Sequence, residues 1–129
     1  MKENDIAKEI VDAAFSVHLK LGPGLFESVY EIVLAYELSK RGLRVDRQKR
    51  IPVLYNGLVF EEGFRADMIV EDLAIIELKS VENVLPVHKK QLLTYLRLSE
   101  KKLGLLINFD DLVKSRKMYQ VKIIKENIK

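Results

Sequence analysis

Glu77 and Lys79 stand two residues apart in the apolar run Ile75-Ile76-Glu77-Leu78-Lys79, and Asp67 lies ten residues before the glutamate. A run this apolar predicts a buried strand, where charged groups require a partner or a metal ion. Strand geometry projects residues two apart to the same face, so Glu77 and Lys79 stand together while Ile76 and Leu78 face away. Asp67 sits in a second apolar segment, Phe64 to Val70, joined to the first by the polar turn at Glu71-Asp72. With Leu73 included in that turn, the hairpin register sets Asp67 opposite Glu77, with Cβ atoms about 4.5–5.5 Å apart. Two carboxylates that close repel unless a divalent cation lies between them. Magnesium takes oxygen ligands and keeps several waters, so two carboxylates and a backbone carbonyl suffice on the protein side. Such an ion activates a bound water and neutralises charge on a phosphate, while an adjacent ammonium orients the nucleophile or stabilises the transition state. The trio therefore suits metal-assisted phosphodiester hydrolysis, with Lys79 in the second role. The plain alternative for an isolated E-x-K triplet is a cross-strand salt bridge at a sheet edge.

The elements that must position these residues follow from periodicity. Ile6, Ile10, Ala13, Val17 and Leu21 recur at spacings of three and four, which predicts an amphipathic helix over residues 5–21 with Asn4 as N-cap, ended by Gly22-Pro23-Gly24. A second helix is predicted from Phe26 to Arg41, with Val29, Tyr30, Val33, Leu34 and Leu38 on its apolar face and Gly42 as its stop. Between Val45 and Tyr55 the positions Ile51, Val53 and Tyr55 alternate with polar ones, as in a half-buried strand, and Pro52 marks an edge or a boundary. Asn56-Gly57 is a two-residue hairpin signal. It leads into a strand over Leu58–Val70, bent at Gly63, and then into the central strand Leu73–Ser80. Pro86 fits the first turn of a third helix that runs to Leu98. Leu103–Phe109 is a short apolar strand, and Met118–Ile124 is a candidate for a last one. Hairpins followed by a strand, helix, strand crossover imply an α/β fold: a mixed central sheet flanked by helices, with an extra helix at the N-terminal end.

Composition bounds the function. The 129 residues amount to one domain, 1–129. Cysteine is absent, which removes disulfides, thiolate metal sites and cysteine nucleophiles together. No apolar stretch approaches a membrane span and the first residues do not form a signal peptide, so a soluble cytoplasmic protein with no membrane partner is expected. The net charge of +3 is unevenly distributed. Residues 39–50 carry six basic and one acidic residue, residues 51–77 one basic and six acidic, and residues 78–129 twelve basic and five acidic. An acidic centre flanked by basic segments fits a polyanion gripped outside and a cation held inside. Solvated surface remains the ordinary role for most of these cations, including Lys40, Arg41, Arg44, Arg47, Lys49 and Arg50. Arg65, two residues before Asp67, is a better candidate for a phosphate or carboxylate contact. His18 and His88 have no partners spaced for a catalytic triad and read as packing and surface residues.

Asp67, Glu77 and Lys79 resemble the motif of the PD-(D/E)XK nuclease superfamily, with Ala66 in the place of its proline. The α-β-β-β-α-β core of that restriction-endonuclease-like fold resembles the order from the second helix to Leu103–Phe109. Gly24-Leu25-Phe26-Glu27-Ser28-Val29-Tyr30 is similar to the G-x-x-E-x-x-Y signature of a family of small proteins placed in the superfamily. The stretches Leu21–Gly24, Phe64–Asp67 and Gly104–Phe109 look like the same family. Gln91 and Tyr95, four apart on the third helix, resemble the Q-x-x-x-Y element that follows the E-x-K strand in RecB-like members. The resemblance implies a metal-dependent nuclease acting on DNA or RNA, with Asp67 and Glu77 as ligands of magnesium or manganese and Lys79 as the catalytic lysine. It adds Glu27 as a helix-borne catalytic or metal residue, with Tyr30, Arg65, Gln91 and Tyr95 in support. For Glu27 and Tyr30 the alternative is a first-turn glutamate favoured by the helix dipole beside a core tyrosine. Two rival functions stay open on this sequence: a non-catalytic nucleic-acid-binding module, and a small-molecule metal-dependent phosphodiesterase. A homodimer or a partner protein is a further expectation, since no separate recognition domain is seen.

Overall fold

The computed structural model describes residues 2–110 and 119–124. Two helices come first, α1 (Glu3–Leu21) and α2 (Glu27–Lys40), followed by three strands, β1 (Val45–Tyr55), β2 (Leu58–Val70) and β3 (Ala74–Lys79). Helix α3 (Pro86–Ser99) then leads to β4 (Leu103–Asn108) and β5 (Tyr119–Ile124). The strands lie in one sheet in chain order, β1-β2-β3-β4-β5. Only β3 and β4 are parallel, because α3 crosses over between them, and the other neighbours are antiparallel. The expected α/β class, mixed sheet and additional first helix are therefore present. Of the candidate last strand, Met118 lies outside the described residues.

The sheet is covered on both faces. Ile6, Ile10, Ala13 and Val17 of α1 and Leu34 and Leu38 of α2 pack against Met68, Val70, Ile76, Leu78, Leu105 and Ile107. On the other face Leu92 and Leu96 of α3 pack against Ile69, Ile75 and Leu106. Gly104 permits this close approach, since a Cβ there would lie 3.0 Å from Leu96 and 3.1 Å from Leu92 side-chain carbons. Strands buried on two sides read as continuous apolar runs, which is why β3 and β4 show no alternation.

The helix ends depart from expectation at one point. Lys2, not Asn4, is the N-cap of α1, and its carbonyl accepts the Asp5 and Ile6 amides at 3.1 Å. No side chain caps this end; Glu3 and Asp5 in the first turn supply the negative charge that the helix N-terminus favours. At the other end of α2, Gly42 takes φ +86° and lets the Leu43 amide reach back to the Leu38 carbonyl at 3.1 Å, as a glycine stop requires. Pro86 opens α3 and His88 caps it, its Nδ1 accepting the Leu85 amide at 3.1 Å.

The β1–β2 hairpin turns at Asn56 (φ +53°) and Gly57 (φ +75°), so Tyr55 pairs with Leu58. Its register shifts between Ile51 and Val53, where Pro52 stands opposite the stretch around Gly63. A Cβ on Gly63 would lie 2.5 Å from the Ile51 carbonyl oxygen. The half-buried alternation expected for β1 fails beyond this irregularity: Ile51 is buried, whereas Tyr55 is 65% exposed. The outer half of the hairpin, from Leu54 to Phe60, is exposed.

Candidate active site

The β2–β3 ladder pairs Val70 with Ala74, Ile69 with Ile75 and Met68 with Ile76, and there it stops. Glu71 and Asp72 both adopt φ +54° in the turn and Leu73 completes it, so the expected three-residue connection is present. One step beyond the last pair come Asp67 and Glu77, and their side chains take over the bonding. The Leu78 amide donates to Asp67 Oδ2 at 2.8 Å, and the Asp67 amide donates to Glu77 Oε1 at 3.3 Å. Each carboxylate thus reaches across to the opposite strand.

Burial pushes the Glu77 carboxyl up to about 8, and the charge of Asp67 adds to the shift. Asp67 is also raised, chiefly by burial, with the Leu78 amide opposing and the charges of Glu31 and Glu27 reinforcing. The ammonium of Lys79 favours the ionised form of both. Two half-buried carboxyls in hydrogen-bonding reach of one another create a demand for a proton or a cation between them. An oxygen-only donor set of this kind fits a hard divalent ion such as magnesium.

The first turn of α2 closes on the end of β3. Glu27 Oε2 accepts the Ser80 amide at 3.1 Å, and Ser80 Oγ donates to the Leu25 carbonyl at 2.8 Å. Tyr30 holds this loop from beneath: its hydroxyl donates to the Gly22 carbonyl at 2.5 Å and accepts the Leu25 amide at 3.2 Å. Its ring is fully buried and stacks on Phe109 at 4.3 Å between centroids. Glu27 therefore lies beside the carboxylate pair, one residue beyond Lys79, whereas Tyr30 spends its hydroxyl on the loop. Among the described residues no three His, Cys, Asp or Glu side chains converge as a ready-made ion cage. Protein ligation of an ion here would rest on Asp67 and Glu77, completed by backbone or water.

Glu31, one turn after Glu27, was not singled out by sequence. It is buried, its Oε2 accepting from Arg47 Nε at 3.0 Å and Nη2 at 2.9 Å, and its Oε1 from Gln48 Nε2 at 2.6 Å. Gln48 takes φ +50° and is the β1 position missing from the ladder opposite Asp67. Arg47, placed with the surface cations, is an ion-pair partner of this network. The available signal was the i, i+4 spacing of Glu27 and Glu31 on one helix face.

From the other side of the sheet Tyr95 approaches the pair. Burial raises its hydroxyl, and the charges of Glu77 and then Asp67 raise it further; its ring stacks on Phe64 at 4.0 Å. Gln91 is exposed one turn earlier on α3. Arg65 is exposed and pairs with Arg50 across the β1–β2 ladder, and no contact joins it to the carboxylates. Asn108 fixes the chain that leaves the site, donating to the Val81 carbonyl at 2.8 Å and accepting the Val81 amide at 3.1 Å. His18 is buried beside Phe109, with 6.3 Å between ring centroids.

The sequence profile of the PD-(D/E)XK nuclease superfamily matches residues 4–121. The fold is similar to the crystal structure of SSO0001, with a TM-score of 0.54 and 22% identity over 76% of this chain and 50% of that one. The chain thus spans about half the length of that relative. It is also similar to the alkaline exonuclease LHK-Exo from Laribacter hongkongensis, with a TM-score of 0.50 and 15% identity over 91% of this chain and 81% of that one. No curated protein matches the sequence. No helix among the described residues is long and apolar enough to cross a membrane.

Proposed function

The chain belongs to the PD-(D/E)XK nuclease superfamily, and from that membership we propose a metal-dependent nuclease that hydrolyses phosphodiester bonds in DNA or RNA. Within the superfamily we assign it to the G-x-x-E-x-x-Y group, as a single nuclease-like unit over residues 1–129 working in the cytoplasm, as a homodimer or with a partner protein. The observation that carries the reading is the pairing of Asp67 and Glu77 at the open end of the β2–β3 ladder, with Lys79 beside them. Asp67 and Glu77 would hold magnesium or manganese, and the ion when bound supplies an activated water and charge neutralisation on the phosphate.

The chain's own groups then have separate tasks. Lys79, two residues from Glu77 on the same strand, places an ammonium where the attacking water or the phosphate oxygens need a positive charge. Glu27 fixes the Ser80 amide and with it the backbone that carries Lys79. Tyr95, lying near both carboxylates, and Gln91, one helical turn away, line the α3 side of the site. Tyr30 positions the Gly22–Leu25 loop against Ser80, and Arg65 carries a cation toward the incoming polyanion.

Cleavage of a mixed panel of single- and double-stranded DNA and RNA, with magnesium or manganese added, tests this reading. Activity is expected in the wild type and absent in Asp67→Ala and Glu77→Ala. Lys79→Ala should cut about 10²-fold more slowly with nucleic-acid affinity kept. A wild type that binds these polymers but cleaves none of them with either metal would establish the non-catalytic binding module instead.

A further inference from the structure

We infer that Arg47 is a phosphate-gripping residue beside the carboxylate pair, its guanidinium locked by Glu31 and its outward edge left for the backbone of a nucleic acid. The inference deepens the nuclease reading, on which it rests for the polymer that supplies the phosphate.

The lock is the first observation. Glu31 is 6% exposed, and a carboxylate so buried needs its charge met. Arg47 turns the side edge of its fork to Oε2, with Nε at 3.0 Å and Nη2 at 2.9 Å, while Gln48 Nε2 reaches Oε1 at 2.6 Å. Consecutive strand residues project to opposite faces, so two of them meet one carboxylate where the backbone departs from the strand. Gln48 makes that departure at φ +50°, a left-handed conformation that is unfavourable for a residue with a Cβ. Both oxygens of Glu31 are thereby occupied, which makes it a positioning residue. The other edge of the fork, Nη1 with the second hydrogen of Nη2, is not used. The Arg47 side chain is 42% exposed and, among the described residues, it bonds to Glu31 alone. Glu31 thus fixes the plane of an arginine that still faces solvent.

The place is the second observation. Gln48 stands opposite Asp67, between the pairs Arg47–Met68 and Lys49–Ala66. Phe64 and Ala66 pack in the α3 cluster, whereas Met68 and Val70 pack in the cluster of α1 and α2, so β2 turns over at Asp67. The α2 side therefore reaches the carboxylate: among the charges acting on Asp67, that of Glu31 comes ahead of Lys79 and Glu27. Arg47 lies on the β1 flank of the pair and Lys79 on the β3 flank. Glu27, Glu31, Asp67 and Glu77 make this region acidic, and a phosphate diester approaching it needs cations. Arginine offers phosphate two parallel donors, and one already held in plane loses little freedom on binding. An ion pair that served merely to strap α2 to β1 would gain nothing from its solvent-facing edge.

Anisotropy of a labelled oligonucleotide, as a single strand and as the annealed duplex, tests the contact across a salt series on the whole protein in metal-free buffer, where nothing is cut. Glu31→Gln/Arg47→Gln removes both charges, keeps the net charge and leaves two amides able to bond each other. Its affinity should fall about fivefold or more, and the slope of log affinity against log salt should become shallower by about 0.7 on the single strand and about 0.9 on the duplex, one phosphate contact's worth. Arg47→Lys keeps a cation beside Glu31, and with it the fold. It should hold the wild-type slope yet bind more weakly, because an ammonium has no fork. A plain strap predicts instead a lower unfolding midpoint with affinity and slope unchanged. That outcome in the double variant, wild-type affinity in Arg47→Lys, or no binding by the wild type would overturn the inference. A wild type that shows the expected slopes but never cuts with added metal removes the nuclease reading and keeps the contact; one that cuts while the double variant binds normally does the reverse.

Discussion

A carboxyl held near pH 8 by burial is protonated under neutral conditions, and Glu77 is such a group. Its folded pKa lies above the ordinary value of 4.5, so the folded state binds the proton more tightly than the unfolded chain. The resulting stabilisation is complete below the ordinary value and is lost as pH rises toward about 8. In metal-free buffer the midpoint of thermal unfolding should fall across this window, and Glu77→Gln, which cannot ionise, should flatten the fall. A wild-type midpoint that stays level from acid to mildly alkaline pH would contradict the buried pair. Glu27 poses a different question, because its bond to the Ser80 amide is one that a glutamine oxygen can also accept. Glu27→Gln should change stability by only about 0.3–1 kcal/mol. If the charge serves the site, turnover drops in that variant; unchanged turnover would reduce Glu27 to a clamp on β3. Asp67, Glu77 and Lys79 were legible in the sequence because charge inside an apolar strand has few explanations. Glu31 was not, since a glutamate in a helix is ordinary until burial shows that it is held by Arg47 and Gln48.

At the scale of elements, the turns were legible where backbone chemistry is restrictive. Asn56-Gly57, Gly42 and Pro86 each sit where a left-handed residue or a missing amide hydrogen suits the chain. The weakness lay in β1, where alternating residues suggested a half-buried strand throughout. Alternation reports which side chains share a face, but not whether that face is covered, and from Leu54 to Phe60 the hairpin is exposed. Where a bend was predicted at Gly63 the ladder has a register irregularity, and the Ile51 carbonyl lies close to the glycine. Gly63→Ala would place a methyl 2.5 Å from that oxygen, a backbone atom that cannot turn aside. A loss of about 1–3 kcal/mol in urea unfolding is expected, the usual scale for overpacking. Equal stability of variant and wild type would mean that the hairpin yields at this point, and that its outer half is not rigidly aimed.

For the molecule as a whole, the two cores and the acidic pair are linked through one structural decision. Strands β2 and β3 carry apolar residues to both helical layers, yet their ladder opens at its last step so that two carboxyls face each other. The fold holds them together by packing far from the charges, with α1 and α2 on one face and α3 on the other. Without a cation, the repulsion is relieved by retaining a proton, which is why stability is expected to fall with rising pH. A divalent ion bound between Asp67 and Glu77 would replace that proton, and ligand binding to the folded state alone stabilises it by RT ln(1 + [L]/Kd), about 2.7 kcal/mol at a hundredfold excess over Kd. Magnesium or manganese should therefore raise the unfolding midpoint more at pH 8 than at pH 6, because at the lower pH it must displace the proton first. The pH-dependent loss expected without metal should shrink as the ion is added, and chelation should restore it. In Asp67→Asn/Glu77→Gln both the metal shift and its pH dependence should vanish, while the apolar cores keep the variant folded. A metal shift that survives the double substitution would place the ion elsewhere on the chain and detach the acidic pair from catalysis.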